Sequence, residues 1–386
     1  MKKRILILTG VFPPDIGGPA TQLDALVKEL IKHGYQVCVL TFGKKDQVQY
    51  SYKVKRVSNA WPHFLKSFFY LITGLRLALK NDILYSYDLY TAGLTGLILR
   101  KILGKSLVIR FVGDSAWETA SARGLVKDDI IIFQSKKYSW GIELRKKIRK
   151  QILNNSDKII VASHFLKSLT REIGLAEEKV KVIYNSVDFF EIKPGLKNKQ
   201  ALKEKFNLNK IVLLTIARLT PWKGVDMLIE IMPDLVKKYQ EINLVVVGQG
   251  PEFNNLKQLA QNINMQNHII FTGKLDRFQI VDYLRASDVF VLNTNYEGMS
   301  HCLLEAMKME TPIITTSAGG NPETIKDKET GLLVDYRDKE QWLKAINNLL
   351  DDPDLAKRLA NQAKQDLKRF SWSKLVQETI NVFQNL

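Results

Sequence analysis

Two carboxylates eight positions apart, Glu297 and Glu305, stand in the segment Tyr296 to Ala306, YEGMSHCLLEA. The apolar run Val289-Phe290-Val291-Leu292 before them reads as a buried parallel strand, and Leu303, Leu304, Ala306 and Met307 after Ser300 have helical spacing. The segment is thus a strand, a turn and a helix start, where unpaired backbone N–H groups and the helix dipole attract phosphate. Gly298, Met299, Ser300, His301 and Leu303 line that helix start. Glu297 falls in the turn and Glu305 on the second helical turn, so both flank the anion site, since a carboxylate inside it would repel the occupant. Each is then expected to accept hydrogen bonds from sugar hydroxyls. Read singly, Glu297 is a solvated loop charge and Glu305 a surface helix residue. Complementary charges follow the run Ile211 to Ile216 in the stretch ARLTPWKG, residues 217 to 224. Arg218 and Lys223 leave the carboxyl end of a strand, where ligands of open α/β sheets bind. A planar fork and a flexible point charge suit a diphosphate. The paired Gly17-Gly18 in the loop before an apolar-faced helix would let backbone approach a ligand closely, with an ordinary turn as the alternative. Lys274 and Leu275 likewise stand at the end of a strand.

Elements that could position these residues alternate along the whole chain. Strands are expected at 4 to 8, 36 to 41, 82 to 86, 107 to 112 and 158 to 162, then at 211 to 216, 243 to 247, 268 to 271, 289 to 292, 312 to 315 and 332 to 334, with helices between them. This pattern argues two doubly wound parallel sheets. A length of 386 residues favours two domains, and 45% hydrophobic content can fill both cores. The Pro-Gly and Lys-Asn composition of residues 189 to 209 marks a linker. Expected domains are therefore 1–190 and 191–370, with a final segment 371–386. No run approaches eighteen apolar residues and no secretion signal stands at the start. Two cysteines, Cys38 and Cys302, suit a reducing cytoplasm without a disulfide framework, and Cys302 reads as a packed residue and not a nucleophile. No cluster has metal-ligand spacing, so no metal and no cofactor are expected.

Charge is unevenly placed: residues 1 to 195 carry a net +15 and the remainder +2. The run Lys136 to Lys150 holds seven cations and one anion among Tyr138, Trp140, Ile142, Leu144 and Ile148. Trp61 to Lys80 is aromatic and aliphatic with Lys66, Arg76 and Lys80 spaced through it; it reads as a core helix at least as well as a membrane-lying one. Partners consistent with this charge are an anionic membrane surface, touched peripherally from the cytoplasmic face, or an acceptor that is itself anionic. A nucleic-acid-binding protein would explain the basic half but not the carboxylates and strand-end cations of the nearly neutral half, so no nucleic acid is expected.

Taken in order, the segments resemble the retaining nucleotide-sugar glycosyltransferases of family 4, which have the GT-B fold. The likeness runs through the Gly-Gly loop at 17 to 18, SDKIIVASHFLKSLTREIG at 156 to 174, VIYNSVD at 182 to 188, ARLTPWKG, LVVVGQGPE at 244 to 252, the E-x7-E segment, SAGGNPETI at 317 to 325, GLLVD at 331 to 335 and FSW at 370 to 372. It implies two Rossmann-like domains facing across a cleft, an acceptor-binding first domain, a donor-binding second domain, and a last helix crossing back to the first. It also implies that Arg218 and Lys223 hold the donor diphosphate, Glu305 the ribose and Glu297 the transferred sugar, while Gly17 and Gly18 face the diphosphate from the other domain; backbone near Lys274 and Leu275 is a weaker candidate for holding the base. Sugar transfer from a nucleoside diphosphate sugar would then proceed with retention and without a metal, to a sugar or lipid-linked acceptor in cell-envelope or polysaccharide synthesis. A nucleotide-sugar epimerase shares the fold, but its extra carboxylate and histidine constellation is absent from this sequence. The chain departs from the family where many members have a histidine after the fourth strand of the first domain: Val112-Gly113-Asp114-Ser115-Ala116-Trp117-Glu118 places Asp114 nearest. Asp114 would either contact a sugar or acceptor hydroxyl or cap a helix. Ser186 also replaces a usual glycine, which bears on the tightness of that turn.

Overall fold

The computed structural model describes residues 3–15, 18–43, 49–187 and 198–386. Its chain divides into two compact units: Met1–Ala120 with Asp128–Asn185 and Trp372–Leu386, and Ser186–Ser371 with the short excursion Ser121–Lys127. The expected boundary at 190/191 lies outside the described residues, as does Gly17.

In the first unit seven strands form a wholly parallel sheet: β1 (Arg4–Leu8), β2 (Gln36–Phe42), β3 (Lys53–Val57), β4 (Ile83–Ser86), β5 (Ser106–Phe111), β6 (Lys158–Val161) and β7 (Val180–Val182). Their order is β3-β2-β1-β4-β5-β6-β7. β3 and β7 were not expected from the sequence, and both are edges. β3 reads KVKRV with its lysines exposed, a charged strand that protects a sheet edge at the cost of its apolar signature. β7 is only three residues long. The helix Trp372–Gln384 belongs to this unit because Leu375, Val376, Ile380 and Phe383 share one helical face. That face enters the core of Ile5, Ile7, Val37, Leu23 and Leu26, with the Phe383 ring edge-on to Tyr85 at 5.2 Å.

In the second unit β8 (Ile211–Ile216), β9 (Ile242–Val247), β10 (Ile269–Gly273), β11 (Val289–Leu292), β12 (Ile313–Thr316) and β13 (Leu332–Val334) form a parallel sheet in the order β10-β9-β8-β11-β12-β13. Chain direction across the sheet reverses between β8 and β11. β8 keeps its register with β9 up to Ile216, but pairs β11 only at Leu213 and Leu214. The carboxyl ends of β8 and β11 therefore separate, and the loops that leave them open the crevice in which such sheets bind ligands. Nearly continuous Val, Ile and Leu runs in β8, β9 and β11 fit a sheet covered on both faces.

Two readings of the first unit's surface change. The helix His63–Ala78 is only half a core helix: Tyr70, Gly74, Leu77 and Ala78 are buried, whereas Trp61 before it and Phe64, Phe68 and Phe69 on its first half are exposed. Within the basic run, the helix Trp140–Asn154 turns three of its cations inward. Lys146 lies over the Phe133 and Tyr138 rings and pairs with Glu143, Arg145 sits over Tyr90, and Arg149 is buried. Lys137, Lys147 and Lys150 remain outward.

Candidate active site

β11 ends at Leu292, and the chain then makes a buried turn through Asn293, Thr294 and Tyr296 to Glu297 before Ser300 caps the helix His301–Lys308. Ser300 Oγ accepts from the Leu303 N–H at 3.4 Å, fixing the helix start where the sequence places it. The turn is tied to the loop leaving β8. Asn293 Nδ2 donates to Gly224 O at 2.8 Å, Asn295 N–H to Trp222 O at 2.8 Å and Thr294 Oγ1 to the same carbonyl at 3.3 Å. Between those anchors Pro221–Lys223 winds a short 3-10 turn ended by Gly224 at φ 50°, and the Lys223 ammonium reaches the Glu297 carboxylate. Both side chains of this ion pair are largely buried, so neither Glu297 nor Lys223 is a solvated surface charge.

A third loop, after β12, holds Glu297 from behind. Gly320 N–H donates to Glu297 O at 2.8 Å. Gly319 has φ 61°, and a Cβ there would stand 2.3 Å from Glu297 O, so only glycine lets the two backbones meet. On the other side of β8, the Gly248–Gly250 turn after β9 presses on residues 217 to 219. A Cβ on Gly250 would lie 2.1 Å from Leu219 O, and Leu219 N–H donates to Gln249 O at 3.0 Å. Arg218 projects from this clamped loop, is exposed, and pairs with no carboxylate among the described residues.

Glu305 is buried, contrary to a surface helix residue, and is already engaged: Arg277 Nη2 donates to its Oε1 at 2.9 Å. Burial pushes the Glu305 carboxyl up from the ordinary range, against the pull of Arg277 and then Lys308. Arg277 is the first residue of the helix Arg277–Ala286, whose Asp276–Gln279 capping box fixes its start. Arg277 is not legible as part of the site from sequence. Its partner is 28 positions away, and the only local signal is a cation just inside a capped helix start. Lys274 is exposed and Leu275 half-buried in the turn that joins β10 to that helix. Gly298 and Met299, which follow Glu297, are buried, and His301 is partly covered at the helix start. Burial raises the Cys302 thiol, with Glu305 and Glu297 adding to the effect, so it is held protonated and is no nucleophile.

In the first unit Gly18 opens the helix Gly18–Lys32. Asp114 has no solvent exposure: its Oδ1 accepts from the Ala116 N–H at 3.1 Å, and its Oδ2 from Gln134 Nε2 at 3.1 Å and from the buried guanidinium of Arg149. The helix-capping alternative is thus the geometry found, reinforced by an ion pair that pattern reading did not anticipate.

A crevice at the reversal point of one parallel α/β sheet, in a chain that also carries a second parallel α/β unit, is an architecture shared with known proteins. Residues 197–366 match the family described as glycosyl transferases group 1, and residues 16–189 match glycosyltransferase family 4. An uncharacterized glycosyltransferase of Methanocaldococcus jannaschii is 27% identical over 99% of this chain and 98% of its own. The GDP-mannose-dependent alpha-(1-6)-phosphatidylinositol monomannoside mannosyltransferase of Mycolicibacterium smegmatis is 24% identical over 90% of each chain. The crystal structure of Anabaena HepE in complex with UDP-glucose superposes with a TM-score of 0.82 at 20% identity, covering 100% of both chains. The architecture is that of the GT-B glycosyltransferases. The chain belongs to glycosyltransferase family 4.

Proposed function

We propose that the protein transfers a hexose from a nucleoside diphosphate sugar to a hydroxyl of a sugar or lipid-linked acceptor, with retention at the anomeric carbon and without a metal ion. The observation that carries this reading is the buried Lys223–Glu297 pair set beside exposed Arg218 where β8 and β11 diverge. Donor binding offers Lys223 a stronger partner than one carboxylate, a diphosphate, and frees Glu297 for the sugar hydroxyls. Arg218, Lys223 and the N–H groups at the Ser300-capped helix then face the negative charge that grows on the diphosphate as the sugar–phosphate bond breaks. The acceptor hydroxyl attacks the anomeric carbon from the face the leaving group vacates, and its proton passes to the departing phosphate oxygen. Fixed cations and a helix terminus supply the stabilisation a divalent ion would give, and the chemistry needs no strong protein base.

An acceptor at a membrane surface, in cell-envelope or polysaccharide synthesis, fits the charge of residues 1 to 195 and the lipid named for the mycobacterial relative. Lys137, Lys147 and Lys150 are exposed, Trp140 in the same stretch is 79% exposed, and the His63–Ala78 helix presents Phe64 at 69%. The contact proposed is peripheral, from the cytoplasmic face; no helix among the described residues is long and apolar enough to cross a membrane. The test is thermal stabilisation by UDP, GDP and ADP sugars, followed by NMR of the product formed from the donor that binds. Glu297→Gln should keep nucleotide affinity and lose turnover. Absence of stabilisation by every nucleotide sugar, or an inverted anomeric product, would overturn the reading.

A further inference from the structure

We propose that Arg277 is a positioning residue for nucleotide binding: it holds the Glu305 carboxylate charged and oriented, so that the oxygen not paired with Arg277 accepts from the ribose hydroxyls. This rests on the reading of Glu305 as a nucleotide contact. The geometry is specific. The Arg277–Glu305 pair spans two helices at 2.9 Å, with only 15% and 7% of the side chains exposed, and Glu305 Oε2 makes no hydrogen bond among the described residues. The capping box at Asp276 and Gln279 fixes the backbone that carries Arg277, so the guanidinium is held by a rigid helix start and not by a loop.

A buried carboxylate needs such a partner. Water no longer stabilises its charge, and without a nearby cation it takes up a proton instead. Other groups near Glu305 cannot replace Arg277. Lys308 lies three residues on along the same helix, but its ammonium donates to Val187 O at 3.1 Å and its pull is the weaker of the two. Lys223 is committed to Glu297, Cys302 on the preceding turn is a protonated thiol, and His301 stands at the helix start. Loss of Arg277 therefore leaves burial opposed mainly by Lys308, and the Glu305 carboxyl protonates at higher pH. A protonated carboxyl has lost accepting capacity, so nucleotide affinity falls as pH drops through the raised value and returns as pH rises.

Affinity for UDP, GDP and ADP measured by calorimetry from pH 6.5 to 8.5, as the ratio of variant to parent, tests this and cancels the titration of the nucleotide phosphates. Arg277→Gln should bind more weakly at the acid end and recover toward the alkaline end, by up to about tenfold for each pH unit below the carboxyl's new pKa. Arg277→Lys should keep a flat ratio, and Glu305→Gln added to Arg277→Gln should abolish the pH dependence. A constant Arg277→Gln ratio would mean that Arg277 only supports the fold, and pH dependence that survives in the double variant would place the titrating group elsewhere. The ¹³C carboxyl signal of Glu305 in the parent, assigned by its loss in Glu305→Gln, should be that of a carboxylate at pH 7. A protonated carboxyl there would overturn the proposal even if Arg277→Gln fails to fold. If Glu305→Ala binds all three nucleotides as the parent does, the site reading itself fails.

Discussion

Arg149→Met decides what Asp114 is for. In the folded chain the Asp114 carboxylate meets Arg149, Gln134 Nε2 and the Ala116 N–H with no solvent exposure, and the Arg149 side chain is 3% exposed. Methionine fills much of the same volume but takes the Arg149 cation away from the buried carboxylate. Breaking a buried pair from one side costs about 3 to 5 kcal/mol, because the remaining charge is uncompensated. The unit that contains them has about 190 residues, a size at which each kcal/mol moves the melting point by roughly 2 to 4 °C. A fall of roughly 6 to 20 °C in the transition of the first unit is expected by calorimetry. Asp114→Leu in the Arg149→Met background should restore most of the loss, since an apolar pair removes both desolvation penalties. An Arg149→Met variant within about 1 kcal/mol of the parent would refute the structural assignment. Full stability with lost turnover in Asp114→Asn would return Asp114 to the acceptor site.

Arg218→Ala should weaken nucleoside diphosphate binding by the loss of a charge-assisted hydrogen bond, about 1.5 to 3 kcal/mol by calorimetry, with the melting point unmoved because the side chain is exposed. Unchanged affinity would remove Arg218 from the site. Gly319→Ala combines a left-handed backbone at φ 61° with a Cβ 2.3 Å from Glu297 O, so it should displace Glu297 and depress kcat at a stability cost of at least about 1 to 2 kcal/mol. Parent-like kcat would show that the Glu297 turn does not depend on this contact. For the membrane, the protein should sediment with vesicles of anionic phospholipid and not with zwitterionic ones, less so as salt rises, and Lys147→Glu with Lys150→Glu should release it. Raised acceptor KM in that variant with vesicles ignored would favour an anionic soluble acceptor.

Much of the fold, and the gathering of charged residues at the ends of β8 and β11, was legible in the linear order of residues. Buried parallel strands announce themselves as apolar runs, and β8, β9 and β11 lie within a residue of their expected limits because their side chains are covered on both faces. Arg218, Lys223, Glu297 and the Ser300 helix start were identifiable because each stands beside such a run, and position at a strand end is a local property. Edge strands β3 and β7 escaped because one is charged and the other short. Tertiary structure alone decided the partners. Glu305 meets Arg277, Asp114 meets Arg149 and Glu297 rests on Gly319 across separations that no periodicity encodes, since contact between such residues is set by which helices and loops the sheet brings together. The same holds for surfaces. Composition made residues 136 to 150 a basic run, but only packing turned Lys146 and Arg149 inward and Phe64 and Phe68 outward, because burial depends on what lies opposite a helix face and not on the face alone.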